Sequence, residues 1–184
     1  MIPIHELTIS RDIEPTIENT IEPTIEPAIE PRSSEPEELE SDIIHPFIKK
    51  LAQRVYDILG PGHSEYIYHR ALEIELRNNN FALETEKRVL ITYEDLLGHR
   101  NTLGEERIDI FIHRNEIINY ELVIELKAVV TQPRQCEYDQ VLKYKRELLK
   151  MDYNPRYGIL INFPQSGTKV ARESIDYIEI PLAD

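Results

Sequence analysis

Two short stretches carry charges where apolar strands are expected. In "NYELVIELKAV", residues 119–129, alternation puts Leu122, Ile124, Leu126 and Ala128 on one face. Glu121, Val123, Glu125 and Lys127 share the other. In "EERIDIFIH", residues 105–113, the same reading gives Ile108, Ile110 and Ile112 one face and Arg107, Asp109, Phe111 and His113 the other. If the two segments pair as a hairpin through the turn at 114–118, Asp109 meets Glu125-x-Lys127 on a single face. Charges are seldom left in sheet interiors without a partner or a task. Two converging carboxylates bind a hard divalent cation such as Mg²⁺, which keeps waters and accepts phosphate oxygens. Such an ion neutralises charge on a reacting phosphate, and a nearby lysine adds a compact positive charge to the transition state. The bland alternative is a structural Glu–Lys or Asp–Arg ion pair, and the Asp…Glu-x-Lys spacing alone does not separate the two.

The elements that must position these residues can be read from periodicity. Ser41-Asp42 is an expected N-cap, and Ile44, Phe47, Ile48, Leu51, Val55, Ile58 and Leu59 follow at helical spacing until Gly60. "GPGHSE" is a turn in which Ser64 can cap a second helix, carrying Ile67, Ala71, Leu72, Ile74 and Leu76 and stopping at "NNN", 78–80. A strand over 83–93 leads into "EDLLGHRNTLG", read as a hairpin loop longer than most. Strands at 105–113 and 119–129, a long amphipathic helix from Gln135, the buried strand "RYGILINF" and a short strand at 175–180 complete the chain. The order α-α-β-β-β-α-β-β predicts an α/β fold with a mixed central sheet flanked by helices.

Further residues fall into place around the charged pair. "GHSEYIY" sets Glu65 and Tyr68 one helical turn apart after a Gly-rich turn, and "DQVLKYK" sets Gln140 and Tyr144 on one helical face. Gly62-x-x-Glu65-x-x-Tyr68, Arg107-x-Asp109, "VIELKAV", Gln140-x-x-x-Tyr144 and "LINF" together resemble the GxxExxY family of the PD-(D/E)XK nuclease superfamily, over about residues 44–180. The resemblance implies a restriction-endonuclease-like fold and a nuclease that hydrolyses phosphodiester bonds with Mg²⁺, or Mn²⁺ in its place. It implies that Asp109, Glu125, Glu65 and the backbone carbonyl of Leu126 are metal ligands and that Lys127 is catalytic. It implies supporting or substrate-binding roles for Gln140, Tyr144, Tyr68 and Arg107. Ile108 stands where the superfamily name has proline, a position often varied. Nucleic acid, DNA before RNA, is the implied partner, with a homodimer as a further one. The rival is a catalytically silent copy of the fold that serves as an interaction module.

The charge of −13 is unevenly placed. Residues 1–42 hold 12 acidic and 2 basic residues, leaving 22 and 19 for the rest. Within that segment "IEPTIENTIEPTIEPAIEPR" repeats a four-residue unit whose prolines forbid a helix, so residues 1–40 read as a disordered acidic arm and 41–184 as the folded domain. The arm is a solvated tail, a dock for a protein partner, or an autoinhibitor that mimics nucleic-acid charge. The lone Cys136, the missing basic-plus-apolar leader and the lack of a long apolar run are expected of an intracellular protein, in cytoplasm or nucleus, outside the membrane. The six histidines show no zinc spacing. Arg134, Lys143, Lys145, Arg146, Lys150, Lys169 and Arg172 are candidates to track phosphates, though a solvated helix face explains most of them equally.

Overall fold

A computed structural model describes residues 36–167 and 174–182, with side chains from 41 onward. The repeat arm through residue 35, and Lys169 and Arg172, lie outside the described residues. Helices α1 (Pro36–Leu59) and α2 (Glu65–Asn78) precede strands β1 (Leu83–Glu94), β2 (Arg100–Ile112) and β3 (Glu121–Lys127). Helix α3 (Gln135–Leu149) then leads to β4 (Pro155–Asn162) and β5 (Asp176–Pro181). The element order is the one the periodicity predicts. The strands form one five-stranded sheet in the order β1-β2-β3-β4-β5. Only β3 and β4 run parallel, because only they are joined by a helical crossover. The expected mixed α/β sheet is therefore what the chain builds.

Three layers follow from the two apolar faces. Residues of α1 and α2, among them Ile48, Tyr56, Tyr68 and Leu72, pack on Ile110, Ile112, Leu122, Ile124, Leu126, Ile159 and Ile161. On the opposite face Val141, Tyr144 and Leu148 of α3 cover Ile108, Phe111, Val123 and Leu160. β3 is thus covered on both sides, which is why its sequence reads as an almost continuous apolar run. Its predicted alternation holds: Leu122, Ile124 and Leu126 face α1 and α2, and Val123 faces α3.

The alternation predicted for β2 fails at one place. Ile108 packs with Phe111 on the α3 face, while Ile110 and Ile112 face the other helices. Leu83 and Val89 of β1, an even number of residues apart, also lie on opposite faces. The cause is local. Thr85 pairs with Ile110 and Lys87 with Ile108, so Glu86 stands opposite Asp109, and Glu86 has a left-handed φ of 53°. The ribbon turns over at this step.

Two boundaries and one cap also differ. α1 begins at Pro36, five residues before the expected cap, since proline is tolerated at a first helical position. Ser64 occupies the N-cap of α2 without making a side-chain cap bond. The long loop expected after β1 is a compact turn, in which the Asp95 side chain accepts the Leu97 and His99 N–H groups at 2.9 Å each and Gly98 adopts φ 81°. β2 therefore starts at Arg100 rather than near 105.

α1 is fixed to the β5 edge of the sheet through buried His45. Its Nδ1 lies 2.9 Å from Glu179 Oε2, its Nε2 lies 3.0 Å from the Tyr120 hydroxyl, and the Tyr177 hydroxyl donates to its carbonyl at 2.9 Å. α3 approaches β4 so closely at Gly158 that any Cβ there would run into Val141 Cγ1. Gly158→Ala is expected to cost ~1–3 kcal/mol, the usual range for overpacking. Adding Val141→Ala should return part of it. Urea unfolding of the single and double variants measures both, and a fully additive loss would contradict this account of the contact.

Candidate active site

β2 and β3 pair only at Ile110–Ile124, Phe111–Val123 and Ile112–Leu122. One step further the register would set Asp109 against Glu125, and there the strands part. Asp109 Oδ2 instead accepts the Leu126 N–H at 2.7 Å, so a side chain replaces a ladder bond. Along β3 the Lys127 carbonyl accepts the Phe163 N–H on the β4 side at 2.8 Å. Strand alternation then turns the Leu126 carbonyl toward the β2 side, into the gap beside Asp109.

Glu125 is 3% exposed. Its Oε1 receives the Lys127 ammonium at 2.5 Å, and its Oε2 is buried with no hydrogen-bond partner among the described residues. Burial, then the charge of Asp109, push the Glu125 carboxyl up to about 8, against the pull of Lys127. Burial likewise raises Asp109, although the Leu126 N–H and Lys127 oppose it. Burial alone would lower Lys127, but Glu125, Glu65 and Asp109 outweigh it and hold the ammonium above the ordinary lysine value.

Glu65 reaches this group from α2. Its carboxyl is raised by burial and by Asp109, against Lys127 and a backbone bond from Ala128. The turn before it explains the Gly62-x-x-Glu65-x-x-Tyr68 spacing. Gly60 and Gly62 sit at φ 66° and 107°, conformations that suit glycine. Tyr68 donates to the Gly60 carbonyl at 2.6 Å, and Gln165 Oε1 accepts the Gly62 N–H at 2.8 Å. The Tyr68 ring stacks on Phe163 at 4.5 Å. Tyr68 is therefore a buried clamp that sets the start of α2 against the end of β4, not a group facing the carboxylates.

Gln140 and Tyr144 come from α3. Gln140 Nε2 donates to the Tyr144 hydroxyl at 2.5 Å, and that hydroxyl donates to the Arg107 carbonyl at 2.9 Å. Burial, followed by Glu125, pushes the Tyr144 phenol well above its ordinary value, so it stays neutral. The pair fixes the β2 backbone two residues before Asp109. The Arg107 guanidinium lies 3.9 Å from Glu86 and 3.7 Å from Glu105, and among the described residues no arginine pairs with Asp109. Arg107, Gln140, Lys143, Tyr144 and Arg146 line an open cavity of about 580 Å³ on this side of the sheet.

Sequence reasoning missed three residues. His69, one helical turn after Glu65, is buried with Nε2 unpartnered among the described residues and Nδ1 3.6 Å from Glu86. Glu86 marks the inversion of the ribbon. Asn162 is fully buried, accepts the Val129 N–H at 2.9 Å and donates to the Thr131 carbonyl at 3.1 Å and Asp176 at 2.9 Å. It holds the segment after Lys127 in place, and a lone Asn in "GILINF" is its visible signal.

Hard oxygen donors, three carboxyls against one ammonium, and an orphaned carboxylate oxygen fit a divalent cation. Among the described residues, though, no three His, Cys, Asp or Glu side chains close on one point as they stand. A match to the PD-(D/E)XK nuclease superfamily spans residues 42–174. The chain belongs to that superfamily, and its mixed sheet with flanking helices is consistent with the restriction-endonuclease-like fold. No curated protein matches it in sequence. A solved structure described as "Crystal structure of SSO0001" is similar at 23% identity and a TM-score of 0.44, covering 63% of this chain and 48% of that one. The chain thus spans about half the length of that structure. No helix among the described residues is long and apolar enough to cross a membrane.

The raised Glu125 carboxyl sets a pH dependence. Below its ordinary value of 4.5 it is protonated whether the chain is folded or not. Above that the unfolded chain ionises first, so stability falls until the folded carboxyl ionises near 8, and levels beyond. With chelator present, urea unfolding from pH 4.5 to 8 should show this loss in the wild type and a flatter profile in Glu125→Gln. Parallel profiles would show that Glu125 ionises normally.

Proposed function

We propose that the protein is a divalent-metal-dependent nuclease of the GxxExxY type, with Mg²⁺ as its ion and Mn²⁺ as a substitute, cutting DNA in preference to RNA. The observation that carries the reading is the opening between β2 and β3. Asp109 and Glu125 face each other there, Lys127 touches Glu125, and one oxygen of Glu125 is buried without a partner. Asp109, Glu125, Glu65 and the Leu126 carbonyl are the groups that would hold the ion. The ion would neutralise charge at the reacting phosphate.

The chain's own residues do the rest. Lys127 keeps its charge because three carboxyls surround it, and it supplies positive potential where the pentavalent phosphate develops negative charge. Lys127, paired with Glu125 in this structure, is the cation that would turn to substrate where a divalent ion supplied the counter-charge to Glu125. Tyr144, locked by Gln140, keeps the Arg107–Asp109 backbone from drifting. Arg107 and Arg146, along the open cavity, offer positive charge to the phosphate backbone, while Lys143 beside them is paired with Glu106 at 2.6 Å and Asp139 lines the same wall. The folded domain carries this site, and the acidic arm serves as a dock for a protein partner.

A catalytically silent interaction module is the second reading. It is favoured by the one observation that no three ligands yet converge among the described residues. Plasmid cleavage with Mg²⁺ or Mn²⁺ separates the two. Asp109→Ala and Lys127→Ala should each lower the rate by about 10²–10³-fold, the scale of losing one transition-state contact. Calorimetry should show divalent binding that Glu125→Ala removes. An RNA of matched length serves as the comparison substrate. Cleavage that outlasts both alanine variants, or no divalent binding at all, leaves the interaction module standing.

A further inference from the structure

The outer part of the β1–β2 hairpin extends past the sheet. β2 pairs with β3 only over Ile110–Ile112, whereas its pairing with β1 runs out to Glu94 and Arg100. Leu90, Tyr93, Leu96, Leu97 and Leu103 are exposed on this ribbon, with Leu97 80% exposed. A two-stranded ribbon with so much apolar surface in water is marginal alone.

β1 is an end strand of the sheet, so among the described residues no strand covers its outer edge. Edge strands are normally guarded by proline, by lysine or by a bulge. Here the bulge falls on β2: Ile91 pairs with Gly104 and Thr92 with Thr102, leaving Leu103 as the extra residue. The β1 side, "RVLITYE" over 88–94, holds no glycine or proline, has no net charge, and is rich in β-branched and aromatic residues.

That segment is complementary to itself. Set antiparallel about Ile91, Arg88 of one copy meets Glu94 of the other, Val89 meets Tyr93, Leu90 meets Thr92, and Ile91 meets Ile91. Both ends become opposite-charge pairs and the centre becomes β-branched and aromatic cross-strand pairs. In its own chain Arg88 has only a loose, solvent-exposed contact with Glu105 at 3.6 Å. Nucleic acid is a poorer occupant, since residues 88–107 carry Glu94, Asp95, Glu105 and Glu106 against Arg88, Arg100 and Arg107.

We propose that the Arg88–Glu94 edge pairs antiparallel with the same edge of a second copy of this chain, joining two five-stranded sheets across a twofold axis at Ile91. The axis stands perpendicular to the joined sheet, so both Asp109 sites open on the same side. Carried on, the register lays the Leu96–Leu97 tip beside Glu86 of the second copy and covers the most exposed leucines. The proposal is independent of metal chemistry.

Sedimentation of the full chain over a concentration series tests it. The wild type should show a concentration-dependent species of twice the 21.6 kDa chain mass. Arg88→Glu alone sets carboxylate against carboxylate at both ends of the paired edge. Glu94→Arg alone sets guanidinium against guanidinium there, so each variant should be monomeric. Mixed in equal amounts, the two variants pair acidic ends with basic ends and should recover the dimer, which no folding defect could produce. A wild type that stays monomeric throughout overturns the proposal. So does a dimer indifferent to both reversals, or reversals that alter retention on DNA while the mass stays constant.

Discussion

One hydrogen bond organises the candidate site: the Asp109 carboxylate takes the Leu126 N–H that a neighbouring strand would otherwise bind. Because a side chain fills that place, β2 and β3 can separate without orphaning the backbone donor. The separation opens a gap at the β2–β3 register position where Asp109 would stand against Glu125. Everything nearby maintains this departure from a regular sheet. Tyr144 grips β2 from behind, the left-handed Glu86 turns the ribbon over, and Asn162 supports the chain just past Lys127.

The electrostatics follow from the same opening. Three carboxyl groups, Glu125 buried and Asp109 and Glu65 half-buried, sit with one ammonium among them, and solvation lost on burial is only partly returned by Lys127. Such an arrangement is unfavourable for a purely structural network, in which the cheapest solution is a matched pair.

Much of this is legible in the sequence. β3 reads correctly because a strand covered on both faces has few ways to be written, and its two charges stand out against that background. The helices show because each has one dry face. β2 misleads because alternation presumes a strand that keeps its faces, and nothing in "EERIDIFIH" announces the inversion at Asp109; the cause lies on the partner strand, at Glu86. The hairpin reads as a loop because a ribbon wet on both sides has no burial period. The start of α1 merges with the Pro- and Glu-rich segment before it, and His69 looks like any histidine on a helix. Tertiary context decides each of these.

The Gly62 turn has a consequence for timing. Glu65, Asp109 and Glu125 all leave the ribosome before Gln165, yet Gln165 and the Phe163 ring are what hold the turn and the Tyr68 clamp in place. A nascent chain thus carries every acidic residue of the site while lacking the brace that aligns them. Glu65 therefore gains its brace only once the fourth strand and the residues just after it have been made.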